Sequence, residues 1–251
     1  MNTIFSHKQD RILFGIHRPR GAAQHPLLDC LDAAESRADF FGCQIVLGED
    51  GHPVCLLQNA GMALLSSAQS PVQPGLSPAA ARELAGAPKL EELLAAAKGC
   101  SLPLALFVPA HVTAKEEDRR RLYEALDSCC RQQPDHVPLI LCSSDAELLT
   151  LGAQNAHMAT GLVIAPWHSC DVTFLCRSCQ ADMCILPREL ATDCRLCGLR
   201  SSGMYTMIVG DFTPRDVLYM SISGADAFMA VEIAQLARVF ENRQPAGNAL
   251  R

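Results

Sequence analysis

The chain has 251 residues, with 21 basic and 27 acidic side chains and a formal net charge of −6. That balance argues against a general nucleic-acid binder, which needs a basic face. Hydrophobic residues make up 49% and charged residues 19%, which excludes a disordered chain and provides for a sizeable core. No apolar run approaches the ~18 residues of a membrane span, and Met1–Asp10 lacks the apolar segment of a secretory signal. The expectation is a soluble, cytoplasmic protein with no nucleic-acid partner and no membrane span.

In chain order, short apolar runs predict strands at Ile12–Ile16, Cys43–Leu47, Leu104–Val108, Pro138–Cys142, Gly161–Ala165, Val172–Cys176, Met204–Val209 and Ala225–Met229. Continuous apolar runs suit parallel strands covered on both faces. Helices are expected between most of them. Leu27, Leu31, Ala34 and Ala38 recur at helical spacing after the first strand, and Leu90, Leu93, Leu94 and Ala97 form a second stripe. Glu49-Asp50-Gly51-His52 is a tight-turn signal, predicting a hairpin from Cys43–Leu47 into Val54–Leu57. Residues 66–88, rich in Ser, Pro, Gly and Ala, read as a long connection. Thr113 with Glu116, and Ser144 with Glu147, form capping boxes. Leu186–Leu196, opened by Pro187, reads as a helix, as does the segment after Thr213-Pro214. Ile233, Leu236, Ala237 and Phe240 give a closing helix, and no internal repeat is visible.

Eight such alternations predict an α/β fold, a (β/α)8 TIM-type barrel with a small hairpin excursion after strand two. A doubly wound sheet is the alternative, but no glycine-rich phosphate loop follows the first strand. Residues 1–242 are expected to form one domain and residues 243–251 a loose tail.

The chain is cysteine-rich, with 13 cysteines, an odd number that forbids complete pairing within one chain. In a reducing compartment free thiols acting as small hydrophobes are the default. Cys176-Arg177-Ser178-Cys179 and Cys194-Arg195-Leu196-Cys197 are nonetheless two CxxC pairs with zinc-ribbon spacing. The barrel reading opposes a site built from all four. Ten helical residues from Leu186 to Leu196 advance the chain ~15 Å, whereas the sulfurs around one Zn²⁺ must lie within about 4 Å of one another. The spacing of Leu190, Cys194 and Cys197 favours core packing instead. A different soft-ion site would combine His168 and Cys170 with Cys176, Cys179 and Cys184. At the rim where barrel active sites are built, the remaining candidates are His17 with Arg18, Trp167, Asp211 and Glu232.

Several features occur in a familiar order. Ile16-His17-Arg18 ends the first strand, Pro26 opens the first helix, and Gly42-Cys43-Gln44-Ile45-Val46 makes the second strand. Asp50-Gly51-His52-Pro53-Val54 turns the hairpin, Leu102-Pro103-Leu104 leads into strand three, and Tyr205-Thr206-Met207-Ile208-Val209 precedes a helix and then Gly224-Ala225-Asp226-Ala227. The chain resembles the glycerophosphodiester phosphodiesterase family over nearly its whole length. That resemblance implies a barrel holding Mg²⁺ or Ca²⁺ on carboxylates, with two histidines as acid and base, in lipid metabolism. The family's motifs are a His-Arg-Gly turn, Pro-Glu-Asn, Glu-x-Asp, a His-Asp after the hairpin and Glu-x-Lys. Here Pro19 replaces the glycine, and Pro26-Leu27-Leu28 and Gln44-Ile45-Val46 replace the first two acidic motifs. The His-Asp falls on Leu57-Gln58 or Gln58-Asn59, and Glu-x-Lys on Phe107-Val108-Pro109.

The resemblance thus implies a remnant phosphate-contacting pair, His17 and Arg18, and degenerate metal positions at Leu27, Gln44, Val46 and Phe107. The expected protein is a phosphodiesterase-like pseudoenzyme that has lost its family metal, expects no cofactor, and binds a phosphorylated small molecule or a protein partner. The alternatives are an active phosphoric diester hydrolase using non-standard ligands, and a zinc-stabilised binding module on Cys176, Cys179, Cys194 and Cys197.

Overall fold

A computed structural model describes residues 12–16, 26–48, 51–56, 87–108, 116–154, 158–165, 168, 171–230 and, near the end, 233, 236, 239 and 240. The strands are β1 (Leu13–Ile16), β2 (Phe40–Leu47), β3 (Pro53–Leu56), β4 (Leu104–Val108), β5 (Leu139–Cys142), β6 (Ala159–Val163), β7 (Met183–Pro187), β8 (Tyr205–Val209) and β9 (Ala227–Ala230). All but β3 pair in parallel, and β1 bonds to both β2 and β9, which closes an eight-stranded barrel. Between the strands run α1 (Pro26–Glu35), α2 (Leu90–Gly99), α3 (Glu116–Gln132), α4 (Asp145–Gln154), α5 (Val172–Ser178), α6 (Asp193–Ser201) and α7 (Pro214–Ser223). The expected (β/α)8 barrel is therefore the observed fold. No helix among the described residues is long and apolar enough to cross a membrane.

The strands read as unbroken apolar runs because both of their faces are buried. Alternate residues such as Phe40, Phe107, Leu141 and Met207 fill the barrel interior. Their neighbours Phe41, Leu106, Ile140 and Ile208 pack outward against the helices. Glycine makes room where the interior is tightest. A side chain at Gly15 would overlap the Phe40 ring, and one at Gly161 would stand 2.5 Å from Ile185 Cδ1 and 2.7 Å from Leu141 Cδ2. The hairpin is also as expected. Gly51, at φ +77°, turns the chain, and β3 returns antiparallel to β2 with Val46 opposite Val54 and Gln44 opposite Leu56.

A short turn recurs that the sequence reading did not detect. Five helices end on a residue with positive φ, and the turn is the same at three of these residues, Arg37 (61°), Gln180 (56°) and Gly224 (129°). Ala-Asp follows each, then a strand. The Asp39 carboxylate accepts the Phe14 N–H at 2.8 Å, Asp182 that of Thr160 at 2.8 Å, and Asp226 that of Thr206 at 2.8 Å. Each aspartate also donates its own N–H to the carbonyl of the same residue. The barrel's lower rim, where strands begin, is thereby pinned at three places.

Other expectations need correction. Val172–Cys176 is not a strand but most of α5, because Asp171 caps it, accepting N–H bonds from Thr173 at 2.8 Å and Phe174 at 3.3 Å. The sixth barrel strand is instead β7, and Pro187 ends it rather than opening a helix. The Leu186–Leu196 segment therefore divides into strand end, a single 3-10 turn and the start of α6. In α1 the buried face carries Pro26, Asp29, Cys30 and Ala33, while Leu31 is 43% exposed. The small Cys30 and Ala33 seat this helix close to the barrel, which the stripe through Leu27 and Leu31 did not anticipate. The connection over residues 66–86, Thr113, and the tail 243–251 lie outside the described residues. Thr213 caps α7 as expected, in a capping box with Asp216.

Candidate functional site at the barrel mouth

Barrels of this class build their sites where strands end. His17 and Arg18 follow β1 directly, but lie outside the described residues, as do Leu57, Gln58, Asn59, Trp167, Cys170 and Glu232. The adjoining strands are well defined. Gln44 on β2 pairs with Phe107 on β4 in parallel register and with Leu56 on β3. The alternation that puts Phe40 inside the barrel puts Gln44 and Val46 on the same face of β2. Gln44 is 3% exposed, Val46 7% and Phe107 1%. Val46 packs with Val54 and Leu56, and Phe107 with the barrel interior. Gln44, Val46 and Phe107 thus share one corner of the mouth. Leu27 does not join them, since it packs against the layer between barrel and helices.

These residues do not fit a hard divalent cation. Mg²⁺ and Ca²⁺ take six or more oxygen ligands, usually including carboxylates. Among the described residues the corner offers one neutral amide oxygen and hydrocarbon. That oxygen, Gln44 Oε1, is buried without a hydrogen-bond partner, an arrangement that costs roughly 1–3 kcal/mol of desolvation. Among the described residues no group of three or more His, Cys, Asp or Glu side chains is arranged to hold a metal.

The four cysteines are likewise not brought together. Cys176 and Cys179 lie at the end of α5, which leads through Gln180 and Ala-Asp to the lower rim. Cys194 and Cys197 lie in the first turns of α6, which begins just past the upper end of β7. The two pairs thus lie on different helices, and among the described residues they form no metal-holding group. Cys176 and Cys179 are buried, whereas Cys194 and Cys197 are exposed. Low on β7 the free thiol of Cys184 shares a hydrogen bond with that of Cys176, and this together with burial pushes the Cys184 thiol well up. His168 is at the other end, after β6, where its Nδ1 accepts the Ala165 N–H at 2.7 Å.

One upper-rim residue escaped the sequence reading. Arg188 follows β7 and donates to the Asp211 carbonyl at 2.8 Å and to Asp216 Oδ2 at 3.1 Å. Asp216 is held below the usual carboxylate range by the Thr213 N–H, with Arg188 adding to the effect. The signal was the charge directly after Pro187, obscured once that segment was read as a helix. Asp211 takes part through its backbone carbonyl.

The fold and mouth define a parallel (β/α)8 barrel with one antiparallel hairpin after its second strand. No family model matches the sequence, and no curated protein matches it. Solved structures do share the fold. A provisionally named glycerophosphoryl diester phosphodiesterase of Silicibacter pomeroyi superposes with a TM-score of 0.75 at 15% identity, over 96% of this chain and 98% of that one. A glycerophosphodiester phosphodiesterase of Parabacteroides distasonis gives 0.70 at 12% identity, over 92% and 97%. An Oleispira antarctica phosphodiesterase, solved with its product sn-glycerol-3-phosphate, gives 0.69 at 14% identity, over 92% and 97%. The likeness to these three structures is one of fold, and it extends over more than nine-tenths of this chain.

Proposed function

We propose that this chain is a divergent glycerophosphodiester phosphodiesterase relative that has lost the family's cation site and binds a phosphorylated small molecule at its barrel mouth. One observation carries the reading: Gln44, Val46 and Phe107 occupy one corner of the mouth as a buried neutral and apolar surface. A phosphodiester there meets no cation to neutralise the charge that develops during hydrolysis. His17 and Arg18, placed directly after β1, supply a ring N–H and a guanidinium fork, groups suited to charge-assisted bonds to phosphate. The glycerol-3-phosphate bound by the Oleispira protein suggests the ligand class, a phosphomonoester or diester of a small polyol.

The test is glycerophosphocholine hydrolysis with and without Mg²⁺ or Ca²⁺, beside calorimetric binding of sn-glycerol-3-phosphate. The expected result is no metal-dependent turnover, with binding that Arg18→Ala weakens. Metal-dependent turnover at ordinary enzyme rates, roughly 1–10³ s⁻¹, would instead establish an active hydrolase with other ligands.

A further inference from the structure

The described cysteines divide sharply. Nine are buried, Cys100 is half-buried, and only Cys194 and Cys197 are exposed. Burial pushes the Cys129 thiol up to about 11 and that of Cys130 up to about 12. Such thiols are poor nucleophiles and out of reach of reagents. Cys194 and Cys197 differ in kind. They lie three residues apart in the first turns of α6, a nine-residue helix, and so on one face of it.

We propose that Cys194 and Cys197 form a redox-active dithiol, a site of reversible modification by low-molecular-weight disulfides. The spacing is what makes it a pair. Side chains at i and i+3 on a helix have Cβ atoms about 5–6 Å apart, and a disulfide needs about 3.5–4.5 Å. Closure therefore requires a contraction of roughly 1–2 Å, which the first turns of a short helix supply by local distortion. A bond made under that strain is readily reduced again. The chemistry balances as two exchanges. The thiolate of one cysteine attacks a sulfur of glutathione disulfide, forming a mixed disulfide and expelling one glutathione thiolate. The second cysteine thiolate then attacks the protein sulfur of that mixed disulfide, closing the Cys194–Cys197 bond and expelling the second glutathione. The two protons lost by the protein thiols end on the two glutathiones.

The surroundings give the event a place to act. Asp193, next to Cys194, accepts bonds from Tyr219 Oη and, at 2.7 Å, from Ser223 Oγ, both on α7. Cys197 lies close enough to Tyr219 to influence its hydroxyl electrostatically. Closure at Cys194 therefore tugs on the contact that ties α6 to α7.

The experiment uses the full-length reduced protein, equilibrated with glutathione disulfide, trapped with an alkylating reagent and mapped by peptide mass spectrometry. The expected outcome is a monomer in which the peptide spanning 193–200 loses two hydrogen atoms through a Cys194–Cys197 bond that dithiothreitol reverses. In Cys197→Ser the reaction stops at a glutathione adduct on Cys194. Stable adducts on both cysteines without the internal bond overturn the proposal. So does a bond from either cysteine to Cys170 or to a second copy of the chain, and so does preferential modification elsewhere.

Discussion

Two places in the barrel treat their buried polar groups differently, the starts of β1, β6 and β8 and the upper part of β2. At the lower rim three aspartates each take a strand N–H at 2.8 Å and return one to the same residue. At the mouth, Gln44 Oε1 is buried beside Phe107 and Val46 with nothing to accept. At the lower end the backbone groups of Phe14, Thr160 and Thr206 are matched in pairs, although the Thr206 hydroxyl is buried without a partner. On β2 an unmatched oxygen lies toward the end of the barrel where the strands finish.

The contrast can be broken most severely from below. Phe40 is fully buried at the lower end of β2, with its ring over Gly15. Phe40→Ala should cost about 3–5 kcal/mol of unfolding free energy, the usual range for emptying a large aromatic site. Urea denaturation reads this directly. Asp226→Ala strands the buried Thr206 N–H and should cost about 1–3 kcal/mol, while Asp226→Asn, which keeps an acceptor oxygen, should lose less. Equal losses for Asn and Ala would mean that the carboxylate's charge, not its hydrogen bond, matters.

A smaller effect follows from the buried thiols between barrel and helices. Cys129 and Cys130 are pushed up to about 11 and about 12, chiefly by burial. Burial likewise pushes up the Cys30 thiol, and the bond with Cys43 does so for Cys55. A raised thiol value means that folding favours the neutral form. Its contribution is whole below the unfolded value near ~8.5 and is lost as pH climbs from there through 11 to 12. Stability should therefore fall steadily in alkali, and Cys130→Ala should flatten that slope.

The mouth should respond least. Gln44→Leu removes an oxygen that already lacks a partner, so its cost should lie within about 1 kcal/mol of zero and its sign should be neutral or stabilising. A loss of several kcal/mol would reveal that the amide is a structural bridge and that the two places are not so different.

Much of the fold was legible because β2, β4, β5, β8 and β9 are apolar on both faces, which only a covered parallel sheet explains. The failure at Val172–Cys176 has a local cause. Val, Thr and Phe favour strands, but one carboxylate, Asp171, satisfies two helix N–H groups and decides the matter. The recurring Ala-Asp turn was present in the sequence at Ala38, Ala181 and Ala225. It went unseen because its meaning lies in bonds to a neighbouring strand 20 to 25 residues away. In the site, Gln44, Val46 and Phe107 were legible since strand alternation fixes their face. Leu27 was not, because the rotation of a helix is set by what it packs on. Arg188 was hidden by the same misreading that displaced β7.

Calorimetric titration of the purified protein with Mg²⁺ and with Ca²⁺ tests the lost cation site most directly. The neutral corner at Gln44, Val46 and Phe107 predicts no saturable one-to-one binding of either ion. A single stoichiometric ion per chain, displaced by sn-glycerol-3-phosphate or bound together with it, would contradict the loss.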